Sequence, residues 1–243
     1  MPSTISIDIF TAFFSFVFVS ISWIFSISMI SKYFKYKTRQ FLYVAVAWIG
    51  VASPWTSDAI SLIMILIIGV PLNLYAKVII ELPFIPIAIY FWLETFTDIK
   101  FTQYRKSILN TFLIITAIFE TFFFMAIFMN FELIGAPVPP IGIVYTPIIY
   151  AFLMTFLGVF VITGILFAKE TLESENKEMV LKGKFLILAF LSYMTGIFLE
   201  IILPPIPLLV ILIKLVLISS AVEYYTGFIL PNFVKELISK KKT

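Results

Sequence analysis

The sequence predicts an all-α, polytopic integral membrane protein, a bundle of seven transmembrane helices with the N-terminus outside and the C-terminus inside. Three observations carry that prediction. Hydrophobic residues make up 61% of the chain and charged residues only 13%, where a soluble domain is about 45–50% apolar and about 25% charged. Apolar stretches of the roughly 20 residues needed to cross the hydrocarbon recur seven times along the 243 residues. The basic residues fall in alternate connecting segments and are missing from those between, which is the pattern that sets topology.

The expected spans are residues 8–30, 41–69, 73–96, 107–130, 141–168, 184–203 and 206–229, forming a single transmembrane domain over 1–243. Asp8 is the only charge before Lys32, so the run from Ile9 to Ile30 reads as the first span. It is too long and lacks the basic start expected of a cleavable signal. The second span contains Ser53-Pro54-Trp55-Thr56-Ser57-Asp58 and is expected to be one helix kinked at Pro54, with a short re-entrant pair as the alternative. The sixth and seventh spans are separated by Leu203-Pro204-Pro205-Ile206-Pro207, a tight turn because proline cannot continue the hydrogen-bond ladder.

Of 17 basic residues, 15 lie in four segments. These are Lys32, Lys35, Lys37 and Arg39; Lys100, Arg105 and Lys106; Lys169, Lys177, Lys182 and Lys184; and Lys235, Lys240, Lys241 and Lys242. The intervening segments 1–8, 70–72, 131–140 and 204–205 carry none. Seven spans with the first four segments of charge on the inside satisfy this alternation.

Cysteine and histidine are absent. That removes disulfides, thiolate or imidazole metal sites, and Ser-His or Cys-His catalysis. The H-E-x-x-H, G-x-S-x-G and P-loop patterns are absent too, and an intramembrane aspartyl protease would need a second deep aspartate beside Asp58. The expectation is therefore a protein that is not an enzyme, with no cofactor, no metal and no nucleic-acid partner.

Charged side chains within the bilayer cost about 2.5–3.5 kcal/mol each on insertion scales, so they are the first functional candidates. Six group toward the outer half on the expected topology: Asp58, Lys77, Glu81, Glu120, Glu200 and Lys214. Lys77 and Glu81 stand four apart, on one helical face. The inner half holds mainly Glu94, beside Asp98, and Glu223. This cluster is a candidate lining for an outward-open pocket that takes a small cationic or zwitterionic ligand, or for the vestibule of an ion path. The competing reading is structural pairing, Lys77 with Glu81 and Glu200 with Lys214. A retinal Schiff base on Lys214 is disfavoured, because Val210 stands one turn earlier where an acid would serve as counter-ion. Gly158, Gly164, Gly183 and Gly196 are expected to let helices approach closely.

Ile134-Gly135, Gly164-Ile165-Leu166-Phe167-Ala168-Lys169-Glu170, Lys182-Gly183-Lys184-Phe185-Leu186 and the run Ser220-Ala221-Val222-Glu223-Tyr224-Tyr225-Thr226-Gly227-Phe228-Ile229-Leu230-Pro231 give the chain a further property. On these residues it resembles a set of uncharacterised seven-helix membrane proteins of Asgard archaea, from about the second helix to the end. Those proteins are in turn similar to the seven-helix sensor region that precedes some archaeal histidine kinases. The resemblance implies a membrane sensor or partner-binding module, and the chain itself carries no kinase domain. The expected function is a sensor-like or scaffold-like protein of the cell membrane that signals through a separate cytoplasmic partner. A small transporter or channel is the first alternative and an accessory subunit of a membrane complex the second. The expected surroundings are the lipid bilayer, with anionic headgroups near Lys240-Lys241-Lys242.

Overall fold

Helix α1 (Pro2–Tyr36) shows how the chain separates a packed face from an exposed one. Ala12, Ser15, Phe18, Val19, Ser22, Phe25, Ser26 and Met29 recur at three- and four-residue spacing and are buried, the stripe a helix needs to pack on neighbours. Three of them are serines, which keep the face narrow; Ser26 Oγ donates across to the carbonyl of Ala45 at 3.2 Å. On the other face Ser20, Ser28 and Ser31 each donate to the carbonyl four residues earlier, at 2.8–2.9 Å. Turning a hydroxyl back onto its own helix satisfies it where no water is present.

The structure is a computed structural model that describes residues 2–138, 142–204, 206–232 and 234. Lys235, Lys240, Lys241, Lys242 and Pro205, each used in the topology argument, lie outside the described residues. The chain divides into two compact units, with the boundary between Phe160 and Val161. The fold class is all-α as expected. Among the described residues six helical stretches are long and apolar enough to cross a membrane: Ile9–Tyr36, Leu74–Ile99, Thr102–Met129, Pro147–Leu172, Lys177–Ile202 and Pro207–Ile229. A bent pair makes a seventh if it counts as one span. Exposed faces are strongly apolar, with Phe128 82%, Met129 78% and Leu66 76% exposed, a surface that water would not tolerate and lipid would.

In the first unit the bent pair is α2 (Arg39–Val51) and α3 (Ser53–Ile68), which meet at Ala52 with a bend of 62°. Pro54 lies in the first turn of α3, where its missing N–H removes the bond back to α2. Gly69 ends α3 in the left-handed region at φ 77°, its N–H bonded to Ile65 O, a conformation glycine adopts without strain.

The expected third span is not one unbroken helix. It is α4 (Leu74–Glu81) and α5 (Phe84–Ile99), separated by Leu82-Pro83. Pro83 explains the interruption, since its ring cannot join the ladder. Asn73 caps α4, accepting from Ala76 N at 2.9 Å. Helix α5 packs on α2 where Gly50 faces Ala88, and a methyl group at Gly50 would lie 2.7 Å from the backbone oxygen of Phe84. Trp48 and Trp92 fill the same region, Trp92 meeting Phe160 edge-on at 5.4 Å.

After α6 (Arg105–Met129), the segment expected as a loop over 131–140 contains structure. A 3-10 turn (Phe131–Leu133) leads into β1 (Gly135–Val138), which pairs antiparallel with β2 (Gly142–Tyr145), Gly135 opposite Tyr145. The expected fifth span therefore does not begin at 141. Ile143, Val144 and Tyr145 favour an extended strand, and the helix begins at Pro147, whose fixed φ suits a first helical position. Thr146 completes the junction, its N–H bonded to Ile134 O and its hydroxyl to Leu133 O.

The unit boundary falls within α7 (Pro147–Leu172). The second unit adds α8 (Lys177–Ile202) and α9 (Pro207–Ile229), an antiparallel pair joined by the proline turn. Glycines set its close contacts: Gly164 against the Phe190 ring, Gly183 against Thr171 and Leu172, Gly196 against Leu217, and Gly227 against Leu186. Gly158, in the part of α7 that belongs to the first unit, has open space where a methyl group would project.

Candidate functional site

The two helix breaks of the first unit face each other. Ser53 begins α3, and its Oγ donates to the carbonyl of Glu81, the last residue of α4, at 2.8 Å. That carbonyl is available because the chain turns at Leu82-Pro83, where Ile85 N bonds to Leu82 O instead. Two interruptions that would each leave orphan backbone groups in an apolar setting thus answer one another.

Around this crossing sits a charged cluster. Lys77 Nζ lies 2.5 Å from Asp58 Oδ1 and 3.0 Å from Glu81 Oε1, so one ammonium serves two carboxylates. The side chains are 8%, 17% and 6% exposed for Lys77, Asp58 and Glu81. Each is placed by a local feature. Asp58 is presented from the first turns of α3, and Lys77 and Glu81 are one turn apart on α4. Ser57 Oγ and the Tyr145 hydroxyl both donate to Glu81, one to each carboxylate oxygen. Ser15 of α1 donates to Asp58 at 3.4 Å. The cluster joins α1, α3, α4 and the β-hairpin at one end of the unit.

Tyr145 ties the hairpin to this cluster. Burial, followed by the neighbouring Glu81 charge, pushes its phenol well above the ordinary value of 10.0. It remains a proton donor across the whole neutral range.

Chemically, the arrangement is a satisfied ionic network. Lys77 supplies the cation that two buried carboxylates require, and among the described residues no group of three acidic side chains converges to hold a metal ion. A cationic ligand would have to displace the lysine.

The six sequence-selected residues separate as follows. Asp58, Lys77 and Glu81 form this network. Glu120, on α6, makes no hydrogen bond to it: its Oε1 is buried with no partner, and so is Thr116 Oγ1 one turn earlier. Lys214 and Glu200 form a pair in the second unit at 2.6 Å, with Lys214 1% exposed and Glu200 37%. Gly196 stands one turn from Glu200 and packs on Leu217, so a close contact and an acid share a face.

Sequence reasoning missed Ser53, Ser57 and Tyr145. The hydroxyl-rich run Ser53-Pro54-Trp55-Thr56-Ser57 beside Asp58 was a usable signal, whereas Tyr145 had none, because the hairpin that delivers it was read as loop and helix. It also missed a second polar clasp. Arg105 donates to Glu94 and to Asp98, and Asp98 accepts from Gln40 Nε2 at 2.8 Å. This ties the end of α5 to the starts of α6 and α2. Glu223, in α9, accepts from Ser219 at 2.6 Å through Oε1, while its Oε2 is buried without a partner.

No known family, curated protein or solved structure matches the chain.

Proposed function

We propose that the chain is a non-catalytic, multi-pass protein of the cell membrane, with seven spans, the N-terminus outside and the C-terminus inside, acting as a sensor or scaffold. The observation that carries this reading is the bond from Tyr145 of the β-hairpin to Glu81. Through it an element beyond the helix ends connects to a buried ionic network at the bend of α2 and α3. On this reading the hairpin is the outward-facing receiving element. A small zwitterionic ligand, or a partner that moves the hairpin, alters the Tyr145–Glu81 bond. The α2–α3 bend responds, and a separate cytoplasmic protein reads the change at the inner turns. The seven-helix archaeal proteins resembled in sequence are consistent with such a role.

The test uses the absence of native cysteine. A single cysteine at Thr38, in the exposed turn before α2, reports on the far end of the bent pair. Its rate of reaction with a thiol reagent is compared with and without Tyr145→Phe. The proposal expects the substitution to change that rate. An unchanged rate at Thr38, with altered hydrogen exchange confined to the hairpin, would remove the coupling on which the sensor reading depends.

A transporter is a second reading, favoured by one specific observation. Paired helix breaks near charged groups are how many secondary transporters build a substrate site. Against it stands Lys77, which already occupies the position a transported cation would take. Thiol labelling of a continuous stripe of deep positions from both sides of the membrane would favour this reading over the first.

A further inference from the structure

Glu120 stands apart from five other acids of the helices. Asp58 and Glu81 share Lys77, Glu94 and Asp98 share Arg105, and Glu200 holds Lys214. Among the described residues no basic side chain pairs with Glu120, and its Oε1 is buried with no hydrogen-bond partner. It lies nine residues before the end of α6 at Met129, about 14 Å along the helix axis. On the membrane reading above, on which this inference rests, the carboxyl is therefore inside the hydrocarbon. Lipid tails offer it no donor there.

The hydroxyl one turn earlier repeats the pattern. Thr116 is 8% exposed, and its Oγ1 is also buried without a partner. Ser20, Ser28, Thr155 and Thr226 each turn their hydroxyl onto the carbonyl four residues before them, which removes the need for an outside partner. Thr116 does not. Positions four apart share a helix face, so two polar groups without a bond of their own adjoin on α6.

The packing of α6 shows which side they border. Leu109, Phe112, Phe119, Phe123 and Ala126 are buried with Thr116, and the rings of Phe112 and Phe119 meet Phe156 at 5.8 and 5.4 Å. Glu120 is half-buried at the margin of this stripe. Leu113, Ala117 and Phe124, its neighbours on the helix surface, are exposed. Beyond them a shallow apolar groove runs along α6, with Ala117 and Thr121 in its lining. These two residues are small and four apart, a spacing that lets a second helix approach closely.

Charge decides the occupant. A carboxylate at this depth calls for a cation or a strong donor. The two basic residues outside the connecting segments, Lys77 and Lys214, are already engaged, by Asp58 and Glu81 and by Glu200. A second copy of the chain therefore brings no free cation to the site. We propose that the Glu120 margin of α6 is the docking site for a transmembrane helix of a partner protein, one that carries a lysine or arginine at the same depth. The basic side chain pairs with Glu120, Thr116 offers an acceptor beside it, and the partner backbone lies over Ala117 and Thr121. An acid that the isolated fold does not use then has a use in the assembly.

The test uses single-span peptides of leucine and alanine with one lysine at the depth of Glu120, or with leucine in its place. The full chain carries a donor dye at Thr102→Cys. Chain and acceptor-labelled peptide are reconstituted together in phosphatidylcholine vesicles, and association is read by energy transfer. The lysine peptide is expected to associate about tenfold more tightly than the leucine peptide, the size of an interhelical polar contact in lipid. Glu120→Leu erases the preference, and an unfolding transition that is unchanged or raised shows that the variant keeps its fold. Glu200→Gln leaves the preference in place. Equal association of the two peptides with the unmodified chain, or a lysine preference that survives Glu120→Leu, overturns the proposal. If equal association comes with modification of Glu120 by dicyclohexylcarbodiimide, the site holds a proton and not a partner. Energy transfer between donor- and acceptor-labelled copies of the chain, abolished by Glu120→Leu, makes the occupant a second copy and overturns the proposal too. Failure of the chain to insert into the vesicles overturns the membrane reading as well.

Discussion

Replacing Lys77 by methionine is the sharpest probe of the buried network. Methionine matches the length of the aliphatic stem but removes the ammonium. Two contacts disappear, at 2.5 Å to Asp58 and 3.0 Å to Glu81. A hydrogen bond to a charged group contributes about 1.5–3 kcal/mol, which sets about 3–6 kcal/mol for the pair. The variant also leaves two carboxylates in a site where both are at least four-fifths buried. Their option to take up a proton limits the penalty, and removing one partner of a buried ion pair costs about 3–5 kcal/mol. That is the expected loss, read as the change in unfolding free energy in mixed detergent micelles with a rising fraction of denaturing detergent. The isosteric variant Asp58→Asn/Lys77→Met/Glu81→Gln has no charge left to strand and is expected to recover most of it, to within about 1–2 kcal/mol of the unmodified chain. A Lys77→Met cost below about 1 kcal/mol, or a triple variant no more stable than the single one, refutes the claim that these groups form one satisfied network.

Other substitutions test neighbouring parts of the account. Tyr145→Phe removes a donor to a charged carboxylate and should cost about 1.5–3 kcal/mol, with faster amide exchange in β1 and β2. Because the phenol lies above its ordinary value of 10.0 in the folded chain, the stability it adds is complete below that pH and is lost only as pH rises through the higher folded value. The difference between Tyr145→Phe and the unmodified chain should accordingly stay flat from neutral pH to about pH 10. Arg105→Met breaks two ion pairs, but Arg105 is 37% exposed, and screening by water should hold the cost near about 1 kcal/mol, well short of Lys77→Met in the same unfolding assay. Gly50→Ala drives a methyl group against the backbone of α5 and should cost about 1–3 kcal/mol, whereas Gly158→Ala, facing open space, should change thermal stability little. Glu120→Leu strands no partner, since Oε1 has none, and should leave unfolding unchanged or raise stability.

Much of the fold was legible because lipid imposes a simple rule on sequence. A span must be long and apolar, and its backbone must bond to itself, so composition alone located the helices to within a few residues at most ends. The break at Pro54, common to the kinked-helix and re-entrant readings, was legible for the same reason, since one missing N–H has a fixed consequence. Pro83 offered an equal signal, but its break is only two residues long, so the run over 73–96 reads as continuous. The hairpin was hidden because Ile143, Val144 and Tyr145 suit a strand and a span equally well. The pair Lys77–Glu81 was visible in its four-residue spacing, and Glu200–Lys214 in its position on either side of a short turn. Asp58 joining Lys77 was not, because that contact depends on the approach of two broken helices. Nor was the Arg105 clasp, in which a residue counted as part of a basic loop is instead neutralised. Charge tallies by segment register the sign of each loop but not which charges the fold has already used.

The most direct test of the central claim is the sidedness of the two ends of the first unit. Single cysteines at Val144 in the hairpin and at Thr102 in the turn before α6, both exposed, are treated in oriented vesicles with a membrane-impermeant thiol reagent applied from one side at a time. The account predicts that Val144→Cys labels only from outside and Thr102→Cys only from inside. Labelling of both from the same side would contradict the proposed topology and the sensor reading that depends on it.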